Sequence, residues 1–215
     1  MITFLDLKNQ YLECKTELDE AYHRVMNSGW YIRGKECEAF EAEFADFHSR
    51  KFALMTPNCT TALHLLLDGL GIGEGDEVIA PECTWIGSVA CISYQGADTV
   101  FADIDPENWC LTAESIEKAI TSKTKAVIVV DLYGNMPEYD EIKKVCNDHN
   151  IFLIEDAAES LGSTYQGQHT GTFGLIGTLS FNGNKTITTG GGGAILTDDS
   201  ELAKKAKHLT TTAKI

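Results

Sequence analysis

From residue 51 onward, short runs of β-branched and aromatic residues alternate with segments whose apolar positions recur every three to four residues. "KFALMT" (51–56) predicts a strand and "TTALHLLLDGLGI" (60–72) a helix with one apolar face. "DEVIAP" (76–81) and "DTVFADI" (98–104) predict two more strands, with a helix over "TWIGSVACISYQG" (84–96) between them. "TAESIEKAI" (112–120) predicts a helix that opens on capping chemistry, because Thr112 is followed three residues later by Ser115 and an acid lies in the first turn. "TKAVIVVDLYG" (124–134) and the start of "IFLIEDAAES" (151–160) are nearly continuous apolar runs, the pattern of strands covered on both faces. "EYDEIKKVCNDHN" (138–150) predicts the helix between them.

Strand–helix alternation with two-sided strands predicts an α/β fold, a three-layer sandwich around a mainly parallel central sheet. After residue 160 the rhythm changes to glycine-rich, hairpin-like pieces, "TYQGQHTGTFG" and "TLSFNGNK". A last strand, "GAILTDD" (193–199), leads into an amphipathic helix, "SELAKKAKHL" (200–209). The first fifty residues read differently: a helix around 10–27, the loop "SGWYIRGKE" (28–36) and an acidic helix, "CEAFEAEFADFH". They predict a helical arm over 1–50, packed against a sheet domain over 51–215.

Composition narrows the partners. A chain of 215 residues with 43% hydrophobic and 23% charged content is ordinary for a globular protein. Its net charge of −15 argues against nucleic acid and against an anionic membrane surface. Small phosphorylated ligands stay open, since backbone amides and hydroxyls bind them locally. No window reaches the about 18 apolar residues of a membrane span, and the N-terminus lacks a basic stretch followed by an apolar run. The seven cysteines (14, 37, 59, 83, 91, 110 and 146) form no C-x-x-C pair, so neither a zinc ribbon nor a dithiol redox motif is expected. No metal site is expected. Scattered thiols in an acidic chain predict a cytoplasmic protein.

In an open α/β sheet, ligands collect beyond the carboxyl ends of the strands. Asn58, Cys59, Thr60 and Thr61 fall after the first strand, Thr84 and Trp85 after the second, and Asp131 and Tyr133 after the fourth. Asp156 and Glu159 follow the fifth, and Ser180, Asn182, Asn184 and Lys185 the later one. Each has a plain alternative. Asn58–Thr61 is a phosphate cradle or an ordinary helix cap. Asp156, at the end of an apolar run, is a ligand partner or a cap, Trp85 a stacking surface or core filling, and Lys185 a reactive amine or a solvated side chain. The Asn58–Thr61 turn is neither a Walker loop nor a G-x-G-x-x-G fingerprint, which disfavours nucleotide binding of those kinds.

Taken together, a phosphate cradle, a flat aromatic, a buried carboxylate and a lysine before four glycines share one logic, that of pyridoxal 5′-phosphate (PLP). A lysine amine anchors the aldehyde, a carboxylate keeps the pyridine nitrogen protonated, the aromatic stacks on the ring, and amides and hydroxyls hold the phosphate.

The stretches "FLDLKNQY", "GDEVIAPECTWI", "VDLYGNMPEYDEI", "IEDAAESLGS" and "SFNGNKTITTGGGG" resemble, in order, those of the DegT-type (DegT/StrS) sugar-nucleotide aminotransferases, which have the type I aminotransferase fold. The resemblance implies Lys185 as the Schiff-base lysine and Asp156 as the partner of the pyridine nitrogen. It implies Trp85 as the stacking aromatic, Thr60, Thr61 and Ser180 as phosphate contacts, and Glu159 near the phenolic oxygen of PLP. It implies transfer of an amino group from a donor such as glutamate to a nucleotide-linked ketosugar, in a homodimer. Tyr31 and Arg33, in the loop over 28–36, are candidate substrate contacts. The family commonly has glycine where Cys59 stands, which predicts a crowded turn here, and often glutamate where Gly191 stands, which predicts a looser loop. Family members run beyond residue 215, so the chain is expected to be the large domain without its C-terminal small domain. Two rival expectations are a PLP-dependent sugar dehydratase on the same scaffold, whose relatives replace the lysine with histidine, and a truncated, non-catalytic cofactor-binding or interaction subunit.

Overall fold

The computed structural model of the chain describes residues 6–210; Phe4 and Leu5 of the first quoted stretch, and residues 211–215 at the end of the predicted sheet domain, lie outside the described residues. Nine strands occur among them: β1 (Phe52–Thr56), β2 (Glu77–Pro81), β3 (Asp98–Ala102), β4 (Thr124–Val130), β5 (Phe152–Asp156), the small hairpin β6 (Thr164–Tyr165) and β7 (Gln168–His169), β8 (Ile176–Ser180) and β9 (Gly193–Thr197). The central sheet has the order β1-β9-β8-β5-β4-β2-β3. Every neighbouring pair from β8 to β3 is parallel, and β9 is antiparallel to both β8 and β1.

Eight α-helices occur among the described residues: α1 (Leu7–Glu13), α2 (Lys15–Ser28), α3 (Lys35–Phe47), α4 (Cys59–Gly69), α5 (Gly87–Tyr94), α6 (Ala113–Ala119), α7 (Tyr139–His149) and α8 (Ser200–Leu209). The period of two along a strand decides which helices lie on which face. Ala126, Ile128 and Val130 of β4 pack with Leu63 and Leu67 of α4 and Ile92 of α5. Val127 and Val129 pack with Ile116 of α6 and Tyr139 and Ile142 of α7. At the other end of the sheet, Ile195 joins Leu66 of α4 and Leu202 and Ala206 of α8, while Leu196 joins Phe44 and Ala45 of α3. The sheet is therefore covered by α4, α5 and α8 on one face and by α3, α6 and α7 on the other, with each buried Leu or Ile contributing roughly 1.5–3 kcal/mol of transfer free energy. Among the described residues no helix is long and apolar enough to cross a membrane.

The capping chemistry read at Thr112 is present as a reciprocal pair: Ser115 N donates to Thr112 Oγ1 at 3.0 Å and Thr112 N to Ser115 Oγ at 3.2 Å. One expectation is corrected. The helix expected around 10–27 is divided at Cys14, which ends α1 and opens α2 (φ −107°, ψ 15°), and neither helix buries a residue. The hairpin-like stretch "TLSFNGNK" starts inside β8, which pairs antiparallel with the next strand, β9, so this hairpin is built into the central sheet, where β8 is fully buried. Gly177 of β8 has room for no side chain: a Cβ there would sit 2.0 Å from the carbonyl oxygen of Gly171, whose backbone crosses the strand.

Candidate active site

The carboxyl ends of β1, β2, β4, β5 and β8 open into one cavity of ≈ 380 Å³, a size suited to a small organic ligand. The segment after β1 lines it with Asn58, Cys59 and Thr60, the segment after β2 with Thr84, Trp85, Gly87 and Ser88, and the end of β4 with Val130 and Leu132. Asp156, Ala158 and Glu159 come from β5 and beyond, and Ser180, Asn182, Asn184 and Lys185 from β8 and the loop behind it.

Lys185 is held by that loop. Its amide donates to Asn182 O at 3.0 Å, and Thr189 N returns to Phe181 O at 3.1 Å, so the run from 181 to 189 closes on itself. Gly190, at φ +81°, takes a left-handed turn that L side chains rarely adopt. Lys185 Nζ donates to Glu159 Oε1 at 3.0 Å, with the two side chains 15% and 24% exposed. The second oxygen of Glu159 accepts from Tyr133 N at 3.0 Å.

Asp156 ends β5 with its carboxylate almost fully buried. Ser88 Oγ donates to Oδ2 at 2.7 Å, and Ala158 N to Oδ1 at 3.1 Å. Cys59 Sγ lies 3.7 Å from Oδ1. Burial raises the pKa of Asp156, opposed by these donors and by the Lys185 charge. Cys59 is buried in the cavity wall, with its thiol directed to Asp156 and Thr178.

Thr60 and Trp85 meet across Gly87. A Cβ on Gly87 would lie 2.6 Å from Thr60 Oγ1 and 2.9 Å from Trp85 Cδ1, so only glycine lets hydroxyl and ring approach this closely. Trp85 itself is 74% exposed, an open flat surface rather than core. Asn58 caps α4, its Oδ1 accepting from Thr61 N at 2.7 Å. Of the residues singled out from sequence, the cavity gathers Thr60, Trp85, Asp156, Glu159, Ser180 and Lys185. Thr61 does not line it, and its amide is taken by the Asn58 cap. Tyr31 and Arg33 are elsewhere: the Tyr31 hydroxyl donates to Met26 O at 3.4 Å, and Arg33 lines a separate cavity with Trp30, Met55 and Lys207.

The profile of the DegT/DnrJ/EryC1/StrS aminotransferase family matches residues 13–214. The chain belongs to this family. Among similar proteins, the GDP-perosamine synthase of Escherichia coli O157:H7 is 45% identical over 190 residues, 88% of this chain and 52% of that protein. The UDP-2-acetamido-2-deoxy-3-oxo-D-glucuronate aminotransferase of Pseudomonas aeruginosa is 39% identical, over 97% of this chain and 58% of that protein. The crystal structure of S. venezuelae DesV superposes with a TM-score of 0.96 at 39% identity, covering 99% of this chain and 58% of that one. The α/β fold with its mostly parallel sheet is thus that of the type I PLP-dependent aminotransferases. The chain spans about half the length of the curated relatives it matches.

Sequence reasoning passed over Ser88, although its spacing of four from Thr84 on a helical stretch places both hydroxyls together; they lie 3.0 Å apart. It named Asp131 but passed over Glu155, the second acid of the polar cluster behind the site. Glu155, next to Asp156 on β5, accepts from Gly171 N and, at 2.8 Å, from Phe173 N. Asp131 accepts from the Tyr139 hydroxyl at 2.5 Å, Thr170 Oγ1 at 2.7 Å and Ser160 Oγ at 3.0 Å. Burial and the Asp131 charge push Glu155 up to about 8, and burial pushes Asp131 to about 6. One acid embedded in the apolar run "IFLIE" was the available signal.

Proposed function

We propose that this protein binds PLP in the cavity and is the cofactor-binding portion of a nucleotide-sugar aminotransferase. The observation that carries the reading is the facing of Lys185, paired with Glu159, and the buried Asp156 across one ≈ 380 Å³ cavity. The donor set fits PLP: an amine, a buried carboxylate with an acceptor site to spare, two hydroxyls near a helix N-terminus and an open flat ring. When bound, PLP supplies an aldehyde carbon for the lysine amine and a ring that accepts electrons.

In this reading Asp156 accepts from the protonated ring nitrogen, and its charge keeps that proton in place. Thr60, Ser180 and the amides opening α4 hold the phosphate, with Thr61 as a further contact in the first turn of α4, whose N-cap is Asn58. Trp85 stacks on the ring. Glu159 orients the Lys185 amine towards the reacting carbon. The Lys185 amine, when not bonded to the cofactor, would take the proton from the donor carbon and deliver it to the cofactor's aldehyde-derived carbon across the intervening nitrogen, which is general acid–base work.

The amino donor in this reading is an amino acid such as glutamate, and the acceptor is a nucleotide-linked ketosugar; the Pseudomonas aeruginosa relative is named as the aminotransferase of a UDP-linked 3-oxo sugar. A homodimer in the cytoplasm, with an arm over 1–50 and a PLP-binding domain over 51–215, belongs to the same proposal, as do Tyr31 and Arg33 as substrate contacts of the assembled enzyme. Lys185 favours transamination over the dehydratase alternative, which the sequence reading associated with histidine at that position. The test is amino transfer from glutamate to nucleotide-linked ketosugars by wild type and Lys185→Arg. A guanidinium does not readily lose its proton, so the variant is expected to be inactive. Turnover retained in Lys185→Arg contradicts the assignment.

A further inference from the structure

Cys59 opens α4, and its Sγ reaches two neighbouring strands. It lies 3.4 Å from Thr178 Oγ1 on β8 and 3.7 Å from Asp156 Oδ1 on β5, two residues paired in the sheet register. The Thr178 hydroxyl donates its proton to Glu155 O at 3.2 Å, so towards Cys59 it can only accept. The single S–H of Cys59 is therefore shared between a hydroxyl oxygen and a carboxylate oxygen, both acceptors. A thiol is a weak donor, and a charged acceptor strengthens the bond.

Asp156 has about four acceptor sites. Ser88 takes one and Ala158 N another. With Cys59 as a third donor, one site remains for a donor from the cavity. We infer that Cys59 is a positioning residue, whose thiol fixes the Asp156 carboxylate so that its remaining lone pair serves the cofactor. This rests on the PLP reading above. Burial and the Asp156 charge raise the pKa of the thiol well above its ordinary value, which keeps the donated proton in place. The other titratable groups near Asp156 are Lys185, whose charge lowers its pKa, and the Cys91 thiol on α5, pushed up to about 12.

Two measurements test the inference. Infrared spectra of the cofactor-free protein, with the Cys59→Ala spectrum subtracted, isolate the Cys59 S–H stretch. Asp156→Asn is expected to move that band to higher wavenumber, because an amide oxygen is a weaker acceptor than a carboxylate; an unmoved band overturns the inference. The second measurement is the acid limb of PLP retention, followed by absorbance. Cys59→Ala and Cys59→Val are expected to raise its midpoint by about half a pH unit. Cys59→Ser, which keeps a donor, is expected to stay near the wild-type midpoint. Equal shifts in all three variants, or none in any, overturn the inference in favour of packing alone. If wild type takes up no PLP at all, the functional reading falls, and the infrared result alone decides the Cys59–Asp156 contact.

Discussion

Lys185 Nζ donates to Glu159 Oε1 at 3.0 Å while the other oxygen of Glu159 accepts from Tyr133 N at 3.0 Å. The carboxylate thus links the loop after β8 to the turn after β4, where Tyr133 sits at φ 54°, a rare backbone conformation for an aromatic residue. An unusual backbone held beside a paired lysine is a pattern of functional sites.

Removing that carboxylate releases the lysine. In Glu159→Ala, Lys185 is expected to react roughly fivefold faster with an amine-directed reagent, the factor matching about 1 kcal/mol of ion pairing at this exposure. Peptide mapping of the labelled protein measures it. Labelling no faster than in wild type would show that the pair does not restrain the amine.

Gly87 sets the spacing between Thr60 and Trp85. The Cβ introduced by Gly87→Ala would meet Thr60 Oγ1 at 2.6 Å, so the hydroxyl or the ring must move. Overpacking of this kind costs about 1–3 kcal/mol. The expected result is PLP affinity weaker by on the order of tenfold in a spectroscopic titration, with the fold intact by circular dichroism. Unchanged affinity would remove Thr60 and Trp85 from the cofactor contacts.

The acid pair behind the site makes stability depend on pH. Burial and the Asp131 charge raise Glu155 from its ordinary 4.5 to about 8, so the folded chain binds more protons than the unfolded chain between those values. The contribution is full below pH 4.5 and is lost as pH rises towards 8, at up to about 1.4 kcal/mol per pH unit. Asp131, raised to about 6, adds to the same trend. Glu155→Gln cannot titrate, so the stability gap between wild type and variant is expected to shrink as pH rises through this window. Denaturant unfolding at a series of pH values measures it, and a gap that widens with pH contradicts the account.

Periodicity alone carried much of the architecture. The two-sided runs at 124–130 and 152–156 became neighbouring parallel strands, and the alternation of Val127 and Val129 with Ala126 and Ile128 placed helices on both faces. Because ligands gather at strand carboxyl ends, the same reading brought Thr60, Trp85, Asp156, Ser180 and Lys185 to one cavity although they are far apart in sequence. What escaped depends on contacts between distant backbones. Ser88 and Cys59 acquire their roles only when α4 and α5 converge on Asp156. Tyr31 and Arg33 do not reach this cavity within one chain, and no local pattern around them indicated which surface they face.

The central claim is that Lys185 is the covalent anchor of PLP. The most direct measurement mixes the purified protein with PLP, records the visible absorption spectrum, reduces the sample with borohydride and maps the modified peptide. The account predicts a visible band and a single stoichiometric adduct on Lys185, absent in Lys185→Arg. No band, or adducts scattered over the exposed lysines with Lys185 unmodified, would contradict it.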